Sequence, residues 1–104
     1  MRSVLDDRVT VYEYAMAVAL VYLGYDLVSI TPHGHNVEFV ILCPKFDFDD
    51  LCSEYNSGSM QISDVRAFGK MYSHVSRLVR DARQTGVYVN PDFRQMLRDE
   101  ALAS

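Results

Sequence analysis

The chain has 104 residues, of which 49% are hydrophobic and 23% charged, a composition that predicts one domain with one core. Ten Lys and Arg residues against fourteen Asp and Glu residues give a net charge of −4. This charge argues against wholesale electrostatic binding to nucleic acid or acidic membranes. The longest uncharged stretch, residues 14–25, holds twelve residues, whereas a bilayer span needs about twenty. Two cysteines are too few for a disulfide framework, so we expect a protein of the reducing cytosol.

The first predicted element is a helix over residues 11–23, preceded by a polar arm over residues 1–9. Thr10 and Glu13 stand at the spacing of a capping box, and Gly24 is placed to end the helix in a left-handed conformation. The helix is apolar nearly all round, which is typical of a helix that is covered on more than one side.

Two segments rich in Val, Ile and Phe predict strands over residues 26–31 and 36–43. The turn residues at 32–35 between them favour a hairpin. On the second strand, the face that should be exposed is polar only at Glu38. We therefore expect part of that face to be covered as well.

Two further helices follow the hairpin. Asp47 is placed to cap a short helix that closes at the turn 56–58, and Ser63 to cap a long helix over residues 64–85. Gly86 is expected to stop the long helix.

The C-terminal residues predict a short extended segment over 87–89 and a last helix that starts at Asn90 and Pro91. The element order predicts an α+β fold: apolar N-terminal helix, β-hairpin, short helix, long amphipathic helix and C-terminal helical extension. We divide the chain into an arm (1–9), a single α+β domain (10–85) and a C-terminal extension of strand and helix (86–104). One core is predicted from Val18, Leu20, Phe39, Ile41, Phe68, Val75 and Leu78.

Several segments resemble a known family. They are Tyr22-Leu23-Gly24-Tyr25, Val37-Glu38-Phe39-Val40-Ile41, Leu51 with Tyr55 and Gly58, and Ile62-Ser63-Asp64-Val65-Arg66-Ala67-Phe68. Over about residues 10–80 the chain resembles a domain-of-unknown-function family of short phage and bacterial proteins. The resemblance implies the fold and a phage origin. Together with the cysteine count, it leads us to expect the protein in the cytoplasm of the bacterium or infected host cell. It implies no activity, and residues 86–104 are an addition to the family pattern.

The residue types of a zinc site occur at His33, His35, Cys43 and Cys52. The two histidines lie at the predicted turn, and the two cysteines are nine positions apart rather than a close pair. We interpret both cysteines as small core residues, and we predict no metal and no cofactor.

No catalytic motif is recognisable. Asp47, Asp49 and Asp50 crowd a predicted helix start, where carboxylates complement the helix dipole, and they lack the further oxygen ligands of a calcium loop. Ser57 and Ser59 have no nucleophile elbow. We therefore predict that the protein is not an enzyme, and keep a small enzyme without a recognisable motif as the second alternative.

A basic helix face is the most specific pattern in the sequence. Residues 66–83 hold five Lys and Arg residues against one acid, whereas residues 1–60 hold three basic and nine acidic residues. Four of the five project opposite the apolar stripe of the long helix, namely Arg66, Lys70, Arg77 and Arg80. Such a face suits a nucleic-acid backbone or an acidic protein partner, and a solvated helix face is the alternative.

The leading interpretation is a non-enzymatic binding or regulatory module that acts as a homodimer. The alternative is a nucleic-acid-binding accessory protein that uses the basic face. The dimer is predicted because two strands alone make a marginal sheet, and because both the second strand and the first helix have surplus apolar surface. The competing explanation is that residues 87–89 add a third strand and the terminal helix covers the rest.

Overall fold

A computed structural model describes the backbone of residues 4–103 and the side chains of residues 6–103. Its elements, in chain order, are β1 (Arg8–Val11), α1 (Tyr14–Tyr22), β2 (Asp26–His33), β3 (Asn36–Leu42), α2 (Lys45–Ser57), α3 (Val65–Thr85), β4 (Tyr88–Val89) and α4 (Arg94–Ala103). Short 3-10 turns over Val4–Asp7 and Pro91–Phe93 precede β1 and α4. The α+β class is confirmed.

The strands form one antiparallel sheet in the order β1-β3-β2-β4. The predicted hairpin is present, since β2 and β3 pair from Asp26 with Leu42 to His33 with Asn36. Gly34 lies in the tight turn between them with a φ of +63°, a backbone conformation that side chains disfavour.

Strand β1 overturns the prediction for the N-terminal residues. Thr10 does not cap α1, because it lies in β1 and pairs with Val40. Helix α1 begins after Glu13, which makes no side-chain cap hydrogen bond. The physical reason is that Val9 and Val11 alternate with exposed residues and point into the core, as residues of a strand do. In addition, the free edge of β3 offers main-chain hydrogen-bond partners that a strand can use and a helix cannot.

Helix α1 is covered on several sides, as its all-round apolar sequence predicts. Five consecutive residues, Met16 to Leu20, are buried. The helix packs against α3 and against β1 and β3. Gly24 follows its end with a φ of +104°, which confirms the predicted stop.

The predicted core is confirmed. Val18, Leu20, Phe39, Ile41 and Val75 are buried in one cluster. Phe68 and Leu78 are partly buried and pack against the same cluster.

A β-bulge in β2 directs one side chain toward the second face of the sheet, on which the residues before α4 pack. Leu27 pairs with Ile41 and Ser29 pairs with Val40, so Val28 is an extra residue in β2. Val28 turns away from the main core and is buried against Phe93.

The neighbouring sheet residues Val40 and Leu42 pack against this second cluster with Leu97 of α4. Strand β4 pairs with β2 through Ser29 and Val89. The predicted C-terminal extension thus adds the fourth strand and covers part of the second face of the sheet. The bare two-stranded sheet from which the dimer was predicted is absent, so that argument for a dimer is lost.

Two predicted helix caps are wrong. Helix α2 begins after Pro44 without a side-chain cap, and Asp47 lies inside its first turn. Helix α3 is capped by Asp64, whose carboxylate accepts a 3.0 Å hydrogen bond from the Ala67 N–H. Ser63 lies one position too early and instead contacts the Tyr22 hydroxyl at 3.2 Å.

The helix ends are correctly predicted. Gly58 ends α2 in the left-handed conformation, and Gly86 ends α3 with a φ of +100°. Among the residues that the structure describes, no helix is both long enough and apolar enough to cross a bilayer.

Candidate partner-binding face on helix α3

Helix α3 has one buried side and one fully exposed side. Val75, Val79 and Ala82 are buried, and Phe68 and Met71 extend the same apolar stripe at helical spacing. This stripe packs on α1, β2 and β4. The opposite side of the helix is therefore turned away from the core.

The four predicted basic residues all lie on that outward side. Each of Arg66, Lys70, Arg77 and Arg80 is exposed. None of them forms a hydrogen bond or ion pair with another described residue. From Arg66 to Arg80 the helix rises about 21 Å, so the structure brings the four together as one long basic strip. We call these four residues the basic face.

The fifth cation of the sequence pattern, Arg83, has a different role. Its guanidinium donates a 2.9 Å hydrogen bond to the carbonyl of Gly34 in the hairpin turn. Arg83 thus ties the end of α3 to the hairpin, and it does not belong to the basic face.

Two small residues interrupt the basic face, a feature that charge counting missed. Gly69 and Ser73 are exposed and lie one helical turn apart, between Arg66 and Arg77 along the helix. A Cβ added at Gly69 would meet no atom within 4 Å. Only a hydrogen atom and a hydroxymethyl group project at these two positions, and we call this gap between the longer cationic side chains the notch. In the sequence this feature is visible as two small residues, Gly69 and Ser73, that are four positions apart.

Helix α2 presents the opposite charge. Its outward side carries Asp49 and Asp50, both exposed, with Glu54 beside them. These three carboxylates form no ion pair with another described residue. Phe46 lies between Asp49 and Asp50 around the helix, and 78% of its surface is exposed. We call Phe46, Asp49, Asp50 and Ser53, which recur at positions i, i+3, i+4 and i+7, the acidic face.

Helix α2 is also weakly anchored. None of its thirteen residues is fully buried. Phe48, Leu51, Cys52 and Tyr55 are only partly buried where they pack against the core. The hydroxyl of Tyr55 donates a hydrogen bond to the carboxylate of Glu13, and this bond raises the pKa of Tyr55.

The residues considered for zinc are not gathered at one place. His33 contacts Glu38 across the hairpin, with 3.2 Å between Nε2 and Oε2. Cys43 is buried and donates weakly to the Pro44 carbonyl at 3.6 Å. Within residues 6–103 no three His, Cys, Asp or Glu side chains are grouped so that they could hold a metal ion.

Burial dominates the chemistry of both thiols. Desolvation raises the pKa of Cys43 to about 11, and the charges of Asp47 and Cys52 act in the same direction. Desolvation also raises the pKa of Cys52, with a further contribution from Asp49. At neutral pH both groups are therefore thiols rather than nucleophilic thiolates.

Comparison of the chain with protein-family models, with curated proteins and with solved structures found no match. The likeness to the phage and bacterial family stays a prediction.

Proposed function

We propose that this protein is a small non-enzymatic binding module that acts as a homodimer, and that the basic face of α3 is its contact surface for acidic protein. The observation that carries the proposal is the set of four exposed cations on one helix side without a partner in the described part of the chain. Both cysteines are free, which agrees with a protein of the reducing cytosol.

An acidic protein surface is favoured over nucleic acid for two reasons. The chain carries a net charge of −4, so the rest of the molecule repels a long polyanion. The basic face also has a small-residue notch at Gly69 and Ser73 rather than aromatic side chains on which bases could stack. A protein side chain can fill such a notch.

The test is the mass of the full chain in sedimentation equilibrium at micromolar concentration. We expect twice the monomer mass of 11.9 kDa at low salt, and a shift toward monomer at high salt because exposed charge pairs are screened. The variant that carries Arg66→Gln, Lys70→Gln, Arg77→Gln and Arg80→Gln should be folded and monomeric. Arg94→Gln with Arg98→Gln, on α4, is the control and should stay dimeric.

Nucleic-acid binding is the second candidate function, and the same four unpaired cations favour it. It predicts that fluorescence anisotropy of labelled DNA or RNA rises with protein at low salt. It also predicts that affinity falls steeply with salt and is lost in the fourfold Gln variant. A monomeric wild-type chain that binds nucleic acid in this way would overturn the dimer proposal in favour of this candidate.

A further inference from the structure

The two outward helix faces of this chain are complementary in charge. Helix α2 carries four acidic residues and one basic residue, whereas α3 carries five basic residues and one acidic residue. The acidic and basic faces do not pair with each other within the described chain. Each face therefore has no ion-pair partner within the described chain, and the other face carries the opposite charge that such a partner needs.

The two faces also differ in the size of the side chains at their centres. Phe46 projects from the acidic face as a large apolar side chain with carboxylates on both sides of it. Gly69 and Ser73 leave the notch on the basic face, with Arg66 one helical turn before it and Arg77 one turn after it. A phenyl ring in this notch would lie beside guanidinium and ammonium groups, which are attracted to the ring face.

We propose that the acidic face of α2 in one copy docks on the basic face of α3 in a second copy, with Phe46 in the notch at Gly69 and Ser73. A twofold axis forms this contact twice and closes the dimer. The inference rests on the proposed function, because it names the acidic surface that the basic face binds.

A second copy of the chain accounts for more of the described surface than a nucleic acid does. A nucleic acid would engage the basic face alone and leave Phe46 and its flanking carboxylates in water. A twofold dimer covers both faces at once. It also covers the outer side of α2, a helix that has no fully buried residue within one copy.

The first experiment removes the acidic face while the basic face stays intact. Phe46→Ala, and separately Asp49→Asn with Asp50→Asn, should each raise the dimer dissociation constant about tenfold or more in sedimentation equilibrium at low salt. Leu102→Ala, at a side chain that is 82% exposed, is the control for Phe46. Asp26→Asn with Asp99→Asn gives the same charge change away from α2, and both controls should leave the dissociation constant unchanged.

The second experiment tests the pairing of the two faces directly. One variant carries Asp49→Lys and Asp50→Lys. The other carries Arg66→Glu, Lys70→Glu, Arg77→Glu and Arg80→Glu. Each should be monomeric alone, because like charges then oppose at both contacts. An equimolar mixture should form a one-to-one heterodimer, since both contacts are then complementary.

The outcomes separate this inference from the proposed function. Loss of the dimer in the fourfold Gln variant but not in the α2 variants would leave the proposed function standing and overturn the α2 contact. Failure of the charge-reversed pair to associate, with both variants folded by circular dichroism, would also overturn it. A wild-type chain that is monomeric at low salt would overturn both.

Discussion

The side-chain amide of Asn90 donates a 2.7 Å hydrogen bond to the carbonyl of Leu27, 63 positions earlier in the chain. The main-chain N–H of Asn90 donates to the next carbonyl, that of Val28, at 2.8 Å. Both carbonyls belong to the bulge of β2, where the regular pairing with β3 is interrupted. One residue before α4 therefore satisfies two consecutive acceptors at the irregular part of the sheet.

We predict that Asn90→Ala lowers the free energy of unfolding by about 2 kcal/mol, because it leaves the part-buried Leu27 carbonyl without its donor. It also removes the Asn90 Oδ1 acceptor for the Asp92 N–H at 3.0 Å, which caps the following turn. Urea denaturation followed by circular dichroism measures the loss. Asn90→Ser restores a cap but cannot reach Leu27, so it should recover only part of the stability. Full recovery would show that the contact to the bulge contributes nothing.

The two phenylalanines of the predicted core should differ in their contributions to stability. Phe39 is completely buried and packs edge-on to Tyr14 with ring centroids 5.5 Å apart, whereas Phe68 is only partly buried. Phe39→Ala should reduce the free energy of unfolding by about 3–5 kcal/mol, and Phe68→Ala by about 1–2 kcal/mol. Thermal or urea denaturation of the two variants tests the order. Equal losses would contradict the burial described for Phe68.

The cap of α3 can be assigned by two substitutions at neighbouring positions. Asp64→Ala removes the carboxylate that accepts from the Ala67 N–H and should cost about 1 kcal/mol of stability. Ser63→Ala removes only an exposed contact with the Tyr22 hydroxyl and should cost less than about 0.5 kcal/mol. Urea denaturation of both variants decides the assignment. The reverse order would restore Ser63 as the cap.

Stability should fall at alkaline pH because of Cys43. Burial raises the pKa of its thiol from 9.0 to about 11, so the unfolded chain loses this proton first as the pH rises. The contribution is fully present below pH 9 and is lost progressively up to about pH 11. The loss is on the order of 2–3 kcal/mol.

The measurement for Cys43 is the free energy of unfolding in urea between pH 8 and 11. Cys43→Ala should lower stability at every pH through the cavity that it creates, and it should flatten the alkaline slope. Tyr88→Phe is the comparison, because desolvation also raises the pKa of Tyr88 but from 10.0. Its effect on the slope should appear only above pH 10. An unchanged slope in Cys43→Ala would refute the prediction.

The candidate site could be predicted from the sequence only in part. The four cations of the basic face follow from helical spacing alone, because positions opposite an apolar stripe project away from whatever that stripe packs against. Arg83 could not be separated from them in the same way. Its hydrogen bond to Gly34 joins α3 to a hairpin 49 positions away, and no local pattern encodes that contact.

The acidic face of α2 could not be predicted from the sequence either. Asp47, Asp49 and Asp50 were interpreted together as charges at a helix start. The helix begins at Lys45, so Asp49 and Asp50 lie in its interior and share an outward side with Phe46. A shift of three positions in the start of the helix, from a cap at Asp47 to one at Pro44, changed the interpretation from capping to a surface.

The sequence by itself determined the α+β class, the hairpin, the long amphipathic helix and the glycines that end the helices, because each depends on periodicity or local backbone geometry. The tertiary structure decided the two edge strands, since β1 replaces a predicted arm and helix start, and the pairing of the predicted extended segment at residues 87–89 was left open. With four residues in β1 and two in β4, both are too short for their sequence pattern to decide the assignment. They form because the outer edges of β3 and β2 carry main-chain groups that need partners. Residues of α4 and of the turn before it cover part of the second face of the sheet, where Val40 and Leu42 are partly buried. Part of the surplus apolar surface expected from the sequence is therefore covered within one chain.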